Sequence, residues 1–149
     1  MDSAMLSKVL AYDDKVYEFF KAPRRSLFTK AWLEGNGFIS AAVAIDENEP
    51  QQVHGYGVVR MCVEGASCRF TPVYADTSSI AGSLLSALAS VTPTSLKVYV
   101  EFPAHCRPTL GFCSAAGLKL CYCNVRVYEN FQNSFPLKKL FADNDFWPM

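Results

Sequence analysis

Residues 68–118 hold four consecutive segments: CRFTPVYAD (68–76), TSSIAGSLLSALAS (77–90), SLKVYVEFP (95–103) and AHCRPTLGFCSAAGL (104–118). Their patterns of β-branched, aromatic and helically spaced apolar residues predict strand, helix, strand, helix. A helix that begins directly after a strand presents amide groups that bind phosphate. The turn at 77–82, however, has one glycine and no basic residue. The segment therefore has the backbone plan of a phosphate site without its usual side chains.

The composition predicts one globular domain that spans residues 1–149. Half of the residues are apolar and 19% are charged, which is typical of a packed core rather than a disordered chain. The 14 basic and 14 acidic residues cancel, so the chain has no net field that would attract nucleic acid or an anionic membrane. Arg24 with Arg25, and Lys138 with Lys139, form pairs rather than patches. We therefore expect neither nucleic acid nor a membrane as a partner.

The chain contains no apolar run of the roughly 18 residues that a membrane-spanning helix needs. Its first residues, MDSAMLSKVLAYDDK, are interrupted by charges before a secretory hydrophobic region develops. We therefore expect a cytosolic or nuclear location.

The six cysteines allow three interpretations: reduced structural thiols, a metal or disulfide site, and catalysis. They are Cys62, Cys68, Cys106, Cys113, Cys121 and Cys123. No C-x-x-C pair and no histidine at ligand spacing accompanies them, so the spacing predicts no metal site. Free cysteine commonly behaves as a small buried apolar residue, and we expect that role for most of them.

The remaining residues predict a mixture of helices and strands on both sides of 68–118. The predicted elements are a strand or short helix within 6–17, a helix at 24–33, strands at 38–45, 54–63, 121–128 and 137–141, and a hairpin turn at 64–66. The order β-α-β-β-β-α-β-α-β-β places antiparallel strands first and joins two central strands, 68–74 and 96–102, in parallel through a helix. This order indicates an α/β protein of the α+β type.

These motifs, in this order, resemble the GNAT (Gcn5-related N-acetyltransferase) superfamily, and more narrowly the C-terminal domain of tandem GNAT proteins. The resemblance covers about residues 6–141. It rests on Tyr12-Asp13, the helix at 24–32, Gly55-Tyr56-Gly57 with Arg60, PVYAD at 72–76, KVYVEFP at 97–103 and Ala116-Gly117-Leu118. It implies a mixed, mostly antiparallel central sheet with two parallel, splayed central strands and flanking helices.

The resemblance also implies an acyl-CoA site between the two central strands. The backbone of Pro72, Val73 and Tyr74 would pair with the pantetheine arm as an added strand does. The pyrophosphate would lie at the start of the following helix, where free amides and the helix dipole favour anions. The residues implied there are Thr77, Ser78, Ser79, Ala81 and Gly82.

The phosphate turn departs from the family pattern, which reads Gln/Arg-x-x-Gly-x-Gly/Ala. One alignment places Thr77, Ile80 and Gly82 at the three motif positions, and the next places Ser78, Ala81 and Ser83 there. Neither supplies Arg or Gln. The small residues are explained equally well by CoA binding and by close helix–sheet packing.

The following helix departs as well. The family commonly carries Asn-x-x-Ala-x-x-Leu-Tyr there, with the tyrosine as general acid and acetyl-CoA as the acyl donor. Counting back from Gly117 places Cys106 at the asparagine and Cys113 at the tyrosine. Cys113 is thus a candidate proton donor or a core residue. Glu101, at the end of the second central strand, is the candidate base, with His54 and His105 as further candidates.

Two functions follow from the resemblance. One is transfer of an acetyl group from acetyl-CoA to an unidentified amine, with no metal. The other is a catalytically degenerate domain that senses acyl-CoA, binds a ligand or dimerises. A homodimer contact is one interpretation of the aromatic tail with Phe141, Phe146 and Trp147, and coverage of the chain's own core is the other.

Overall fold

The computed structural model describes residues 2–17, 25–104, 106–123 and 139–142. These residues form four helices and a five-stranded sheet. In chain order the elements are α1 (Ser3–Val16), α2 (Arg25–Glu34), β1 (Phe38–Ile45), β2 (Val53–Met61), β3 (Ser67–Ala75), α3 (Ser78–Val91), β4 (Lys97–Val100), α4 (Arg107–Ala115) and β5 (Leu140–Ala142). The predicted mixed, mostly antiparallel sheet with flanking helices is confirmed.

The first element is a helix of 14 residues, so the alternative of a strand within 6–17 was wrong. Leu6, Val9, Tyr12 and Val16 are its buried apolar residues, and their spacing of three and four places them on one face. Asp2 caps the helix by accepting a hydrogen bond of 2.7 Å from the Met5 amide. A strand would have divided these residues between two faces.

Two predicted strands differ from the structure near the C-terminus. Residues 121–123 form no strand, and the rest of the predicted strand at 121–128 lies outside the described residues. The last strand begins at Leu140 and ends at Ala142, rather than spanning 137–141. The other predicted elements are present with shifts of a few residues at their ends.

The sheet places β3 at its centre. β1 pairs with β2, and β2 with β3, in antiparallel register. On its other side β3 pairs with two strands in succession. β4 runs parallel to it from Ser67–Lys97 to Phe70–Val100, and β5 runs antiparallel beside Val73 and Tyr74. The pairing of β3 with β4 therefore stops halfway along β3.

The core lies on both faces of this sheet. On one face, α3 packs Leu84, Leu85 and Leu88 against β3. On the other face, α1 and α2 cover Tyr56, Tyr74 and their neighbours. Among the described residues, no helix is long and apolar enough to cross a bilayer.

The α1 face of the sheet contains a buried carboxylate. Asp13 is fully buried, and it accepts hydrogen bonds from the Tyr56 hydroxyl at 2.5 Å and the Thr29 hydroxyl at 2.8 Å. Tyr56 in turn contacts the rings of Tyr12 and Tyr74. Because a buried carboxylate is tolerated only when it is hydrogen-bonded, this group holds α1, α2 and β2 in one arrangement.

Gly55 is required by close packing, which yields a first stability prediction. A Cβ at Gly55 would lie 2.7 Å from the Tyr74 carbonyl oxygen and 3.0 Å from Ala75 Cα. We expect Gly55→Ala to lower the free energy of unfolding by about 2 kcal/mol, since backbone atoms cannot yield as a side chain does.

Gly82 in α3 is the matched control because a Cβ there meets nothing within 4 Å. Gly82→Ala should raise stability by about 0.5–1 kcal/mol. Urea unfolding of both variants tests this, and equal effects would contradict the packing argument.

Candidate active site

The N-terminus of α3 is capped by a side chain. Thr77 is the N-cap, and its hydroxyl accepts the Ile80 amide at 3.3 Å, while its carbonyl accepts the Ala81 amide at 3.0 Å. Of the first helical residues, Ser78 and Ser79 are exposed. Their amides precede the first intrahelical bond, so they face outward from the helix end.

The small residues of this turn divide into two kinds. Ala81 is 1% exposed and belongs to the core cluster beneath α3, so its small side chain permits the close helix–sheet contact. The Cβ position of Gly82 opens into free space, so packing does not require a glycine there. The turn therefore exposes Thr77, Ser78 and Ser79 to a ligand, whereas the side chain of Ala81 points into the core.

The residue directly before the α3 N-cap is an aspartate, Asp76. Asp76 accepts hydrogen bonds from Lys139 Nζ at 2.8 Å, His54 Nδ1 at 3.1 Å and the Tyr12 hydroxyl at 3.2 Å. Burial alone raises the pKa of Asp76, but the hydrogen bonds from Lys139 and His54 outweigh it, so its pKa lies below the usual range. Lys139 thus compensates a negative charge that would otherwise repel phosphate from the helix end.

The predicted pantetheine-binding residues lie inside the sheet. Pro72, Val73 and Tyr74 are buried, and Val73 and Tyr74 pair with β2 on one side and β5 on the other. The Tyr74 hydroxyl is hydrogen-bonded to that of Tyr17 beneath α1. The backbone edge of β3 in this region is therefore occupied by the chain's own β5.

Glu101 lies where the pairing of β3 with β4 ends. Its Oε1 forms an ion pair of 3.0 Å with Arg69 Nη1 and accepts a hydrogen bond from the Tyr122 hydroxyl. The side chain is 14% exposed, and among the described residues its buried Oε2 has no hydrogen-bond partner. Burial of a carboxylate oxygen without a donor is costly, so Oε2 is suited to receive a hydrogen-bond donor from a ligand.

The partners of Glu101 respond to its charge. The pKa of Tyr122 is raised to about 12 by partial burial of the Tyr122 hydroxyl and by its hydrogen bond to Glu101. For Arg69, burial alone lowers the pKa of the guanidinium, but the Glu101 carboxylate raises it above its usual value. Both groups therefore stay protonated near neutral pH and bind the same oxygen, Oε1, which holds the carboxylate in one orientation.

The two cysteine candidates lie together in α4. Cys106 is its N-cap residue, and its sulfur lies 3.1 Å from the Thr109 hydroxyl. Cys113 is buried, and burial raises the pKa of its thiol, with Cys106 adding to the effect. The thiol therefore keeps its proton at neutral pH. No hydrogen bond joins Cys113 to Glu101 within the described parts of the chain.

All six cysteines are free thiols. Among the described residues, no three side chains of His, Cys, Asp or Glu converge as metal ligands do. Of the alternative bases, His54 is committed to Asp76, and His105 lies outside the described residues.

Sequence reasoning missed the partners that complete the site. Arg69 was recognised only as part of a strand, although it lies opposite Tyr99 and thus diagonally from Glu101. Strand register, once assumed, could have identified that pair. Nothing in the local sequence joins Lys139 to Asp76, because 62 residues of other elements separate them.

The comparison with known protein families gives one match. A family model described as an acetyltransferase (GNAT) domain matches residues 9–141. No curated protein gives a significant match. The match begins within α1 and ends within β5.

Proposed function

Because the chain belongs to the acetyltransferase (GNAT) domain family, we propose that it transfers an acetyl group from acetyl-CoA to the nitrogen of an amine. The observation that carries this proposal is Glu101, whose buried Oε2 is unpartnered among the described residues where β3 and β4 part. A general base needs a lone pair that faces the substrate and a carboxylate that is held in one orientation. Arg69 and Tyr122 supply that orientation by binding Oε1.

The chemistry requires one proton transfer before the acyl transfer. Glu101 Oε2 accepts a proton from the acceptor ammonium, which leaves a neutral amine. The amine nitrogen forms a bond to the thioester carbonyl carbon, and the carbon–sulfur bond breaks. The products are an amide and free CoA, whose sulfur takes up a proton. We propose the protonated thiol of Cys113 as the donor of that proton. The nitrogen loses its second proton to solvent as the amide forms. Cys113 then takes up a proton from solvent and Glu101 releases one, which restores both side chains.

The cofactor contacts proposed from the sequence are consistent with part of the structure. Ser78 and Ser79 at the start of α3 offer two outward amides for the pyrophosphate, next to Thr77. Cys106 and Gly82 remain proposed contacts without a geometric requirement. The edge of Pro72–Tyr74 is the proposed pantetheine site, and it requires that β5 leave β3.

Binding of CoA and acetyl-CoA by calorimetry is the first test. We expect dissociation constants in the micromolar range, followed by acetyl transfer to one or more members of an amine and polyamine panel. The variant Ser78→Asp should weaken binding at least tenfold, because a carboxylate beside the pyrophosphate repels it. Ser86→Asp, an exposed serine on the same helix, is the control. Absence of binding up to millimolar concentration would overturn the proposal.

A second function is favoured by the occupied edge of β3. If β5 stays in place, the pantetheine arm has no free edge on β3, and the domain senses acyl-CoA through the start of α3 alone, or binds another ligand, without turnover. Binding of acetyl-CoA without transfer to any amine in the panel would support this alternative, whereas multiple turnovers would exclude it.

A further inference from the structure

The β3 edge that the proposed function assigns to the cofactor is closed by four residues of the chain itself, 139–142, which we call the strap. Leu140 lies opposite Tyr74 and Ala142 opposite Val73, and the Ala75 amide donates a hydrogen bond of 3.0 Å to the Lys139 carbonyl. A strand has two edges, and the other edge of β3 is paired with β2. The strap and an extended ligand therefore compete for the same backbone groups.

The strap is held at both ends by contacts with the elements that flank the site. At its start, Lys139 Nζ lies 2.8 Å from Asp76, the residue before the α3 N-cap. At its end, the Phe141 carbonyl accepts a hydrogen bond of 2.8 Å from the Thr109 hydroxyl in α4. Release of the strap would therefore uncover the edge of β3 on the α4 side. It would also release the Lys139 ammonium from Asp76, beside the phosphate turn at 77–82.

The strap is tied to both faces of the core by its side chains. Leu140 is buried with the α1 side of the sheet and Phe141 with the α3 side, at 1% and 5% exposure. Within the described residues, however, β5 spans three positions and pairs with two residues of β3, whereas β2 and β3 span nine each. Opening of this pairing breaks fewer backbone hydrogen bonds than opening of the β2–β3 ladder beside it.

We propose that the strap is a releasable occupant of the acyl-CoA groove, and that cofactor binding and strap release are coupled. This inference rests on the proposed function. The coupling is reciprocal, since a ligand that binds only the open form raises its population. The measured dissociation constant then equals the intrinsic constant divided by the open fraction.

Amide exchange and CoA titration on the full chain test this coupling together. The main variant is Phe141→Leu, which weakens the strap's anchor, and the matched control is Phe112→Leu, which changes the same core cluster outside the strap. We expect Phe141→Leu to speed exchange of the Ala75 amide about fivefold and to tighten CoA binding by the same factor. The Met61 amide, which donates to the Gly37 carbonyl at 2.6 Å, is the reference that should not change.

A second variant covers the case in which Phe141→Leu fails to fold. Thr109→Val removes the donor to the Phe141 carbonyl, and Thr92→Val removes a similar buried hydroxyl that donates to Leu88 within its own helix. Thr109→Val should act as Phe141→Leu does, and Thr92→Val should leave Ala75 exchange and CoA affinity unchanged.

The outcomes separate this inference from the proposed function. CoA binding with equal affinities for variant and control would overturn the strap and leave the acyltransferase proposal intact. A second outcome is faster exchange at Ala75 with no CoA binding by any variant. It would show that the strap opens, but it would overturn the proposed function and the coupling that rests on it. Exchange unaltered by both strap variants would overturn the strap alone.

Discussion

Glu101→Gln is expected to slow acetyl transfer by about a hundredfold, the lower end of the range for loss of a general base. The amide keeps the shape of the side chain and an oxygen that can accept from Arg69 and Tyr122. It removes the basic lone pair of Oε2, so the acceptor ammonium is no longer deprotonated in the site. Affinity for acetyl-CoA should stay within about twofold, because this carboxylate acts on the acceptor rather than on the cofactor.

Steady-state kinetics with acetyl-CoA and an amine that the panel identifies will measure this effect. Glu64→Gln is the matched control, because Glu64 also accepts a hydroxyl hydrogen bond, from Ser67 at 2.7 Å, but lies in the turn between β2 and β3. Its rate should equal that of the unmodified protein. An unchanged rate for Glu101→Gln would remove Glu101 from the catalytic site.

The largest stability effect is expected at Asp13. Asp13→Ala leaves the hydroxyls of Tyr56 and Thr29 without their acceptor, in a region where the carboxylate itself is fully buried. A buried donor without a partner costs about 1–3 kcal/mol, and the lost side chain leaves a small cavity in addition. We therefore expect the free energy of unfolding to fall by about 3 kcal/mol.

Urea unfolding monitored by circular dichroism will measure this loss, with the slope against denaturant as a check on two-state behaviour. Asp14→Ala is the control, since Asp14 is the exposed neighbour on the same helix. Its effect should stay within about 0.5 kcal/mol. Equal losses for the two variants would show that the buried hydrogen bonds of Asp13 contribute nothing beyond the helix itself.

Prediction from sequence was most successful where a segment's own periodicity decides its structure. The apolar spacing of α3 and the Thr77 cap are local features, and both are observed. The helix at 25–34 and the antiparallel strands β1 to β3 were also predicted close to their observed bounds. These elements follow from side-chain spacing within a few turns or a single hairpin.

Prediction failed where a segment's partner lies far away in the chain. The strand predicted at 121–128 satisfied the local pattern, yet residues 121–123 form no strand. Instead, Tyr122 reaches Glu101 across 21 positions of sequence. The same applies to β5, whose three residues carry too little pattern to indicate which strand they join.

The candidate site shows the same difference between features that local sequence predicts and features that depend on distant residues. Glu101 was identified from its position at the end of a strand, but its orientation depends on Arg69 and Tyr122, which come from other elements. Ala81 and Gly82 looked equivalent as small residues, and only the packing beneath α3 distinguishes the buried alanine from the unobstructed glycine.

The sequence by itself therefore determined the family, the order of the elements from α2 to α4 and the start of α3, because these depend on local spacing and on motif order. The tertiary structure alone decided which strand closes the edge of β3 and which oxygen of Glu101 has no hydrogen-bond partner among the described residues. Both depend on contacts between residues distant in the chain, such as the hydrogen bond of Ala75 with Lys139 and the ion pair of Arg69 with Glu101. Such contacts are set by sheet register and side-chain packing, which no single segment encodes.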